Sequence, residues 1–448
     1  MQVSALSWSV RTLDRALDGE TVYRELLAGE PVAFWLDGRV SVLGTTLGPG
    51  AEVVVRDLAD GDVFAELNAL LATRVGEVPV ELDGLFCGGY VGYFGYELKA
   101  LTGGAAAFES PTPDALWIWA NRFVLIDHDR ELTHLVAVDE PGAGDDWLDR
   151  AEAAAADWWM GSVEVPAIAT LDLEAHLEQD RATYLDGIAK CMAALEAGET
   201  YEVCLTNRVR LPAVQDPFEF FRWQRAANPA PYAAFLRYGD LAVASSSPER
   251  FLTVDADGWA ECRPIKGTAP RDPDPAQDQL AAKALAEDEK TRAENLMIVD
   301  LIRNDLGRVS EPGTVHVPQL MEVETYRTVH QLVTTVRGRL RKGVSAVDAV
   351  RACFPPGSMT GAPKIRTMEI LDSLEWTARG VYSGALGYLT VDGRADLSVV
   401  IRTAVLTPDE TVIGAGGAIV LDSDPDAEYD EMVLKATAAV GGKAGGDG

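Results

Sequence analysis

The chain predicts an α+β fold on three observations. Strand-like apolar runs, such as residues 51–55 and 123–127, fill the first 135 residues with only short helical stretches between them. From about residue 180 to the end, amphipathic helical patterns alternate with apolar strands. The 448 residues are 47% hydrophobic, enough to bury a large core. Length alone allows about three ordinary domains, or equally one large unit with a smaller appended lobe. A Pro/Gly/Asp turn, an Ala-rich helix over 149–160 and a linker at Val165 and Pro166 place a boundary there. The expected organisation is an N-terminal region 1–165, a second region 166–440 and a frayed tail 441–448.

Taken in order, residues 86–96 are rich in glycine and aromatic side chains. Residues 278–308 read as mostly helical, with the apolar stripe Leu296, Val299, Leu301, Ile302 and Leu306. A helix over 364–374 follows the loop 357–363, and a last helix runs over about 426–440. Residues 399–405 read as one apolar strand around Arg402. The glycine-rich run 412–420 reads as a site of close backbone approach or as a bulge or tight turn.

The 39 basic and 70 acidic residues give a net charge of −31. Such a balance argues against nucleic acid or an anionic membrane as partner. No apolar run approaches the about 20 residues of a membrane span, and the N-terminus lacks a signal-peptide pattern. Five scattered cysteines, none in a C-x-x-C pair, indicate neither a disulfide framework nor structural zinc. These features together predict a soluble, cytoplasmic protein of enzyme size.

Lys266 stands in the run Arg263-Pro264-Ile265-Lys266-Gly267-Thr268. A lysine held among apolar groups can lose its proton near neutral pH and act as nucleophile or base; most lysines are simply solvated. Glu249 precedes it by 17 residues, the spacing of two strands joined in a hairpin, so it can serve as a general acid beside it. Glu428, Glu431 and Lys435 lie at i, i+3 and i+7 on one helix face. The two carboxylates suit a hard cation such as Mg²⁺, while the bland reading is a solvated face. Glu294 is a further metal carboxylate or a helix-start acid favoured by the dipole. Arg402 needs an anion, either a substrate carboxylate or an internal partner.

These motifs together resemble the chorismate-utilising enzymes, a family that includes anthranilate, aminodeoxychorismate, isochorismate and salicylate synthases. The resemblance rests on 247–251, 263–268, 294–301, 303–305, 329–333, 357–364, 384–388, 401–402 and 428–435, in the family's order. It implies a large two-layered fold of antiparallel sheets flanked by helices, as in anthranilate synthase component I. Residues 166–440 would then be the chorismate-binding catalytic domain. The resemblance also implies roles. Glu294, Glu428 and Glu431 would hold Mg²⁺. Arg402, Tyr388, Gly416 and Gly417 would hold the enolpyruvyl carboxylate with Lys435 nearby. His330 and Ser358 would face the ring, and Thr268 and Tyr382 would line the pocket. Asn228, Pro231 and Tyr232 resemble one wall of an effector pocket.

Within the family, the P-I-K-G-T form around Lys266 is similar to the aminodeoxychorismate synthase branch, whereas anthranilate synthases carry alanine there. Isochorismate and salicylate synthases place a water-activating lysine at the position of Glu202. The resemblance therefore implies amination at ring carbon 4, with Lys266 attacking carbon 2 and Glu249 as acid. Ammonia would come from a separate glutaminase subunit, and the product would enter p-aminobenzoate and folate synthesis. The alternative is an anthranilate synthase or a chorismate-aminating relative of secondary metabolism.

Overall fold

The strands, in chain order, are β1 (Ser7–Leu13), β2 (Val32–Asp37), β3 (Val40–Thr45), β4 (Val53–Arg56), β5 (Gly89–Phe94), β6 (Ala115–Ala120), β7 (Arg122–Asp127) and β8 (Leu132–Asp139) in the first part. The second part adds β9 (Glu202–Pro212), β10 (Tyr232–Tyr238), β11 (Leu241–Ser247), β12 (Arg250–Val254), β13 (Trp259–Arg263) and β14 (Ile265–Pro270). It ends with β15 (His316–Thr325), β16 (Val329–Arg339), β17 (Ala385–Thr390), β18 (Ala395–Val399), β19 (Thr403–Leu406) and β20 (Glu410–Ile419). The longer helices are α1 (Val63–Thr73), α2 (Asp145–Asp157), α3 (Arg181–Glu196), α4 (Pro217–Ala227), α5 (Pro275–Glu287), α6 (Glu289–Gly307), α7 (Ala346–Cys353), α8 (Lys364–Leu374) and α9 (Pro425–Ala439). This computed structural model describes residues 4–48, 50–139, 144–157, 172–327 and 329–440.

Several aspartates sit where helices begin. Asp180, Asp216, Asp274, Asp288 and Asp424 each accept a backbone N–H of the first turn of α3, α4, α5, α6 and α9. Such caps are worth about 1 kcal/mol each. Asp288 also explains a departure from expectation. The stretch expected to be one helix over 278–308 is two, because Asp288 adopts an extended backbone and restarts the helix by accepting from Thr291 N.

The expected two-layered antiparallel architecture is present. One sheet has the order β9-β20-β19-β11-β10-β2-β3-β7-β8-β1, with the two-residue strand Gly361–Ala362 added beside β9. The other runs β14-β16-β13-β12-β18-β17-β5-β6-β4, with β15 also paired to β16. Every pairing within these two sheets is antiparallel. Side chains alternate between two cores, as strand geometry requires. Phe34, Leu236 and Val243 point into the core between the sheets, joined there by Tyr90, Phe94, Trp117 and Phe251. Their sequence neighbours Trp35, Phe235 and Ala244 face the outer core, covered by Tyr184, Phe221 and Met432 of α3, α4 and α9. Burying one such large side chain contributes about 1.5–3 kcal/mol.

The boundary expected at 165/166 and the tail 441–448 lie outside the described residues, as does the end of the helix expected over 149–160. On either side of that boundary the strands share both sheets. β2 pairs with β10 and β5 with β17, so each sheet is completed only by joining early and late strands.

Of two local readings, close backbone approach in the glycine-rich run is met and the single strand over 399–405 is corrected. The glycine-rich run 412–420 lies mainly within the regular strand β20, whose bare positions admit neighbours. A Cβ at Gly414 would stand 2.2 Å from the Tyr382 ring, and one at Gly417 would stand 3.2 Å from Glu428 Oε2. The apolar run 399–405 is not one strand. It leaves one sheet at the end of β18 and enters the other at β19, and Arg402 makes the crossing with φ +50°. Left-handed backbone is uncommon for a residue with a side chain and marks a position fixed by its surroundings.

Candidate active site

Lys266 lies where the two sheets meet. β14 pairs with β16 at Ile265 opposite Val333 and at Thr268 opposite Gln331, with an irregularity between them. Lys266 and Gly267 occupy that break. Gly267 has φ +83°, and a Cβ there would come within 2.4 Å of Thr291 Cγ2 on α6, so the helix packs directly on bare backbone. The bulge sends Lys266 away from its own sheet. Lys266 is 8% exposed, and its Nζ donates to Oε1 of Glu202, fully buried on β9 of the other sheet.

This pair corrects the expectation of a lysine made acidic by burial. Burial does oppose its charge, but the Glu202 and Glu294 carboxylates, with the hydrogen bond to Glu202, outweigh it and hold the ammonium well above its ordinary range. Glu202 Oε2 is buried without a hydrogen-bond partner.

Glu249 approaches from β12, whose Arg250 is opposite Arg263 of β13. Continuing that hairpin brings Glu249 beside the Ile265 N–H and into the field of Lys266. The expected proximity is therefore found, through a hairpin whose second strand continues past Pro264 into β14. Burial pushes the Glu249 carboxyl up to about 7, against a hydrogen bond from Ser358 and the charge of Lys266. A carboxyl that keeps its proton near neutral pH is suited to donate it to a leaving hydroxyl.

A third group of carboxylates lies between α6 and α9. Burial pushes Glu294 up to about 7; Lys266 opposes the rise, while Glu202 and Glu428 add to it. Glu428 is buried and accepts from Ser423 Oγ at 2.7 Å and Lys290 Nζ at 2.8 Å. Glu431 is exposed and pairs with Lys435 at 2.7 Å, while Lys435 also donates to Gly416 O at 3.1 Å. Among the described residues, no three acidic, histidine or cysteine groups already converge on one ion position. Lys290 Nζ is also 3.9 Å from Glu294 Oε1 and so bridges two of these carboxylates with one positive charge. Oxygen donors alone, one of them in excess negative surroundings, fit a hard divalent cation of the Mg²⁺ type.

Arg402 needs an anion, from substrate or from within the fold. Among the described residues, no carboxylate pairs with its guanidinium, and burial alone pulls its proton affinity below the ordinary arginine range. An arginine placed this way is ready for an incoming anion.

Not every expected residue joins this group. Both ring nitrogens of His330 are taken, Nδ1 by Thr325 Oγ1 at 2.9 Å and Nε2 by Asp278 Oδ1 at 2.8 Å. This ties the imidazole to the start of α5 rather than to Lys266 or Glu249. Thr268 is exposed on β14. Tyr388 packs edge-on against Phe86 with ring centroids 5.2 Å apart and faces a different cavity. Tyr382, on the segment before β17, lies against Cys204, which itself feels Lys266 and Lys435. Sequence reading missed Lys290, although its i, i+4 spacing to Glu294 was a usable signal. It also missed Glu202 as the partner of Lys266, since 64 residues separate them and no local pattern links the two.

The chorismate binding enzyme family matches residues 30–441. The chain belongs to the chorismate-binding enzymes. It is 45% identical to an aminodeoxychorismate synthase of Streptomyces pristinaespiralis, an alignment that takes in 95% of this chain and 64% of that protein. The chain thus spans less than two thirds of that relative's length. It is 42% identical to aminodeoxychorismate synthase component 1 of Klebsiella aerogenes, over 78% of this chain and 76% of that one. Among solved structures it is similar to anthranilate synthase component I from Streptococcus pneumoniae, with TM-score 0.77 and 29% identity over 95% and 97% of the two chains.

This chorismate-binding enzyme has a second concavity, a cleft of ≈ 800 Å³ between the N-terminal strands and β17. Pro231, Tyr232, Tyr388 and Asp396 line it. Of the three residues expected at an effector pocket, Pro231 and Tyr232 are there. Asn228 instead caps the end of α4 and does not line the cleft. No helix among the described residues is long and apolar enough to cross a membrane.

Proposed function

We propose that this chain is the chorismate-aminating component of an aminodeoxychorismate synthase, converting chorismate and ammonia to 4-amino-4-deoxychorismate and water. The observation that carries the reading is the buried Lys266–Glu202 pair with the buried Glu249 carboxyl beside it. A lysine at 266 supplies a nucleophile, and an acid at 202 leaves no lysine to activate water there. The relatives named aminodeoxychorismate synthase support the same reading.

The chemistry then runs on this chain's own groups. Arg402 binds one carboxylate of the dianionic substrate, with Tyr382 and the Gly416 and Gly417 backbone lining that side. Lys266 passes its proton to Glu202, and the freed Nζ attacks ring carbon 2 as the electron pair shifts through the ring and expels the carbon 4 hydroxyl. Glu249 gives that hydroxyl its proton, so it departs as water. Ammonia then adds at carbon 4, the electrons shift back and Lys266 leaves carbon 2; the new C4 ammonium returns a proton to Glu249, and Lys266 takes its own proton back from Glu202. Glu294, Glu428 and Glu431 would hold Mg²⁺, which when bound neutralises the ring carboxylate and favours loss of the hydroxyl. Ammonia is supplied by a glutaminase partner.

The deciding experiment incubates the protein with chorismate, Mg²⁺ and an ammonium salt, treats the mixture with aminodeoxychorismate lyase and separates the products. The expected product is p-aminobenzoate, dependent on Mg²⁺. Fluorescent anthranilate with no p-aminobenzoate overturns the reading in favour of amination at carbon 2.

A further inference from the structure

Arg379, just before the Tyr382 segment, is buried, with its side chain 3% exposed. Its guanidinium reaches three walls of the site at once. Nη1 donates to Met359 O at 2.6 Å and to Ser383 Oγ at 3.3 Å. Nη2 donates to Cys204 O at 2.9 Å. Nε and Nη2 grip the two oxygens of Glu375 at 2.8 and 2.6 Å. Glu375 in turn accepts from Thr206 N and Oγ1 at 3.1 and 2.8 Å, fastening the same strand β9 a second time.

Each of these anchor points adjoins a residue already placed in the site. Met359 follows Ser358, which bonds Glu249. Cys204 and Thr206 stand on β9 with Glu202, and Ser383 follows Tyr382. The geometry points to Arg379 as a positioning residue that fixes the Ser358 loop relative to β9, and through them holds Glu249 and Lys266 at a working separation. This rests on the reading of Glu249 and Lys266 as the reacting groups. Only a planar, five-donor guanidinium spans these acceptors; the single ammonium of a lysine cannot hold all three walls in one plane.

Displacing a catalytic group by about 1 Å costs about 10²-fold in rate. Arg379→Lys is therefore expected to lower kcat for chorismate consumption by about that factor while leaving KM for chorismate unchanged, since Arg402 is untouched. The combination with Ser358→Ala is expected to be no slower than the slower single variant, because both act through the same contact. A purely structural role predicts the opposite: losses that multiply in the double variant, or a lowered Tm with kcat retained by the folded fraction. Either result overturns the proposal. Should Arg379→Lys fail to fold, Ser383→Ala, which removes one acceptor hydroxyl, is put through the same cycle. It is expected to lower kcat without changing KM and to be non-additive with Ser358→Ala; unchanged kcat, or losses that multiply, overturns the proposal. The cycle is scored on chorismate consumed, whichever amine forms, so a wrong product assignment and a wrong role for Arg379 give different results.

Discussion

Replacing Glu202 by glutamine keeps the shape of the pair and removes its negative charge. Lys266 then sits 8% exposed with burial opposing its ammonium and its largest favourable partner gone, Glu294 remaining. Breaking a buried ion pair by removing one partner costs about 3–5 kcal/mol, equivalent to about two to four pH units of lysine acidity. The sign follows from the folded state holding the lysine proton more tightly than the unfolded chain. Stability from that pair is fully present below the free-lysine range and is lost only as pH rises through the higher folded value. At pH 7 the wild type keeps all of it, so the deficit of Glu202→Gln is fully visible there by equilibrium urea unfolding. In activity, the limb of the kcat/KM profile that rises with lysine deprotonation is expected to move to lower pH by about two units or more. A variant with wild-type stability and an unmoved limb would refute the assignment of Glu202 as the group that holds the Lys266 proton.

Three further outcomes are expected. Glu249→Gln lowers kcat by about 10²–10⁴-fold with little change in KM. In the wild type, kcat/KM falls as pH rises through about 7, where Glu249 loses its proton, and that falling limb disappears in the variant; a limb that survives assigns the acid elsewhere. Arg402→Ala raises KM for chorismate about 10- to 100-fold, the worth of one charge-assisted contact of about 1.5–3 kcal/mol, without lowering urea stability, because no internal partner is lost; a destabilised variant with normal KM contradicts it. Lys290→Ala tightens Mg²⁺, measured by calorimetry in the presence of chorismate, because the ammonium bridging Glu294 and Glu428 no longer competes; weaker Mg²⁺ binding counts against those carboxylates as ligands.

What could be read from sequence was what is encoded locally. The helices over 364–374 and 425–439 were legible because a proline opens each and apolar residues repeat at helical spacing. The Glu249–Lys266 neighbourhood was legible because a hairpin ties spacing to distance. The break at Asp288 escaped notice because the helical pattern continues across it, and only the capping geometry shows the restart. The crossing at Arg402 was hidden because apolar residues suit a strand and a buried crossover equally well. Tyr388 and Tyr382 differ only in which side of a fold the chain turns them to, and that depends on the register of β17 against β5. Arg379 gave no signal as a brace because it meets two of its walls through the backbone carbonyls of Met359 and Cys204, which every residue carries.

The interleaving of early and late strands bears on how the molecule is made. A nascent chain that has reached residue 139 already holds β4, β5 and β6, but the open edge of β5 waits for β17, whose Gly387 must come opposite Gly92. The open edge of β2 likewise waits for β10. Pairings of such long separation are slow to form, and unpaired aromatic-rich edges are prone to stray association while they wait. Tyr90, Tyr93 and Phe94 on β5 are among the side chains so exposed. Because Lys266 and Glu202 come from opposite sheets, their contact forms only after both sheets have closed. Recovery of catalytic activity should therefore lag behind recovery of secondary structure during refolding.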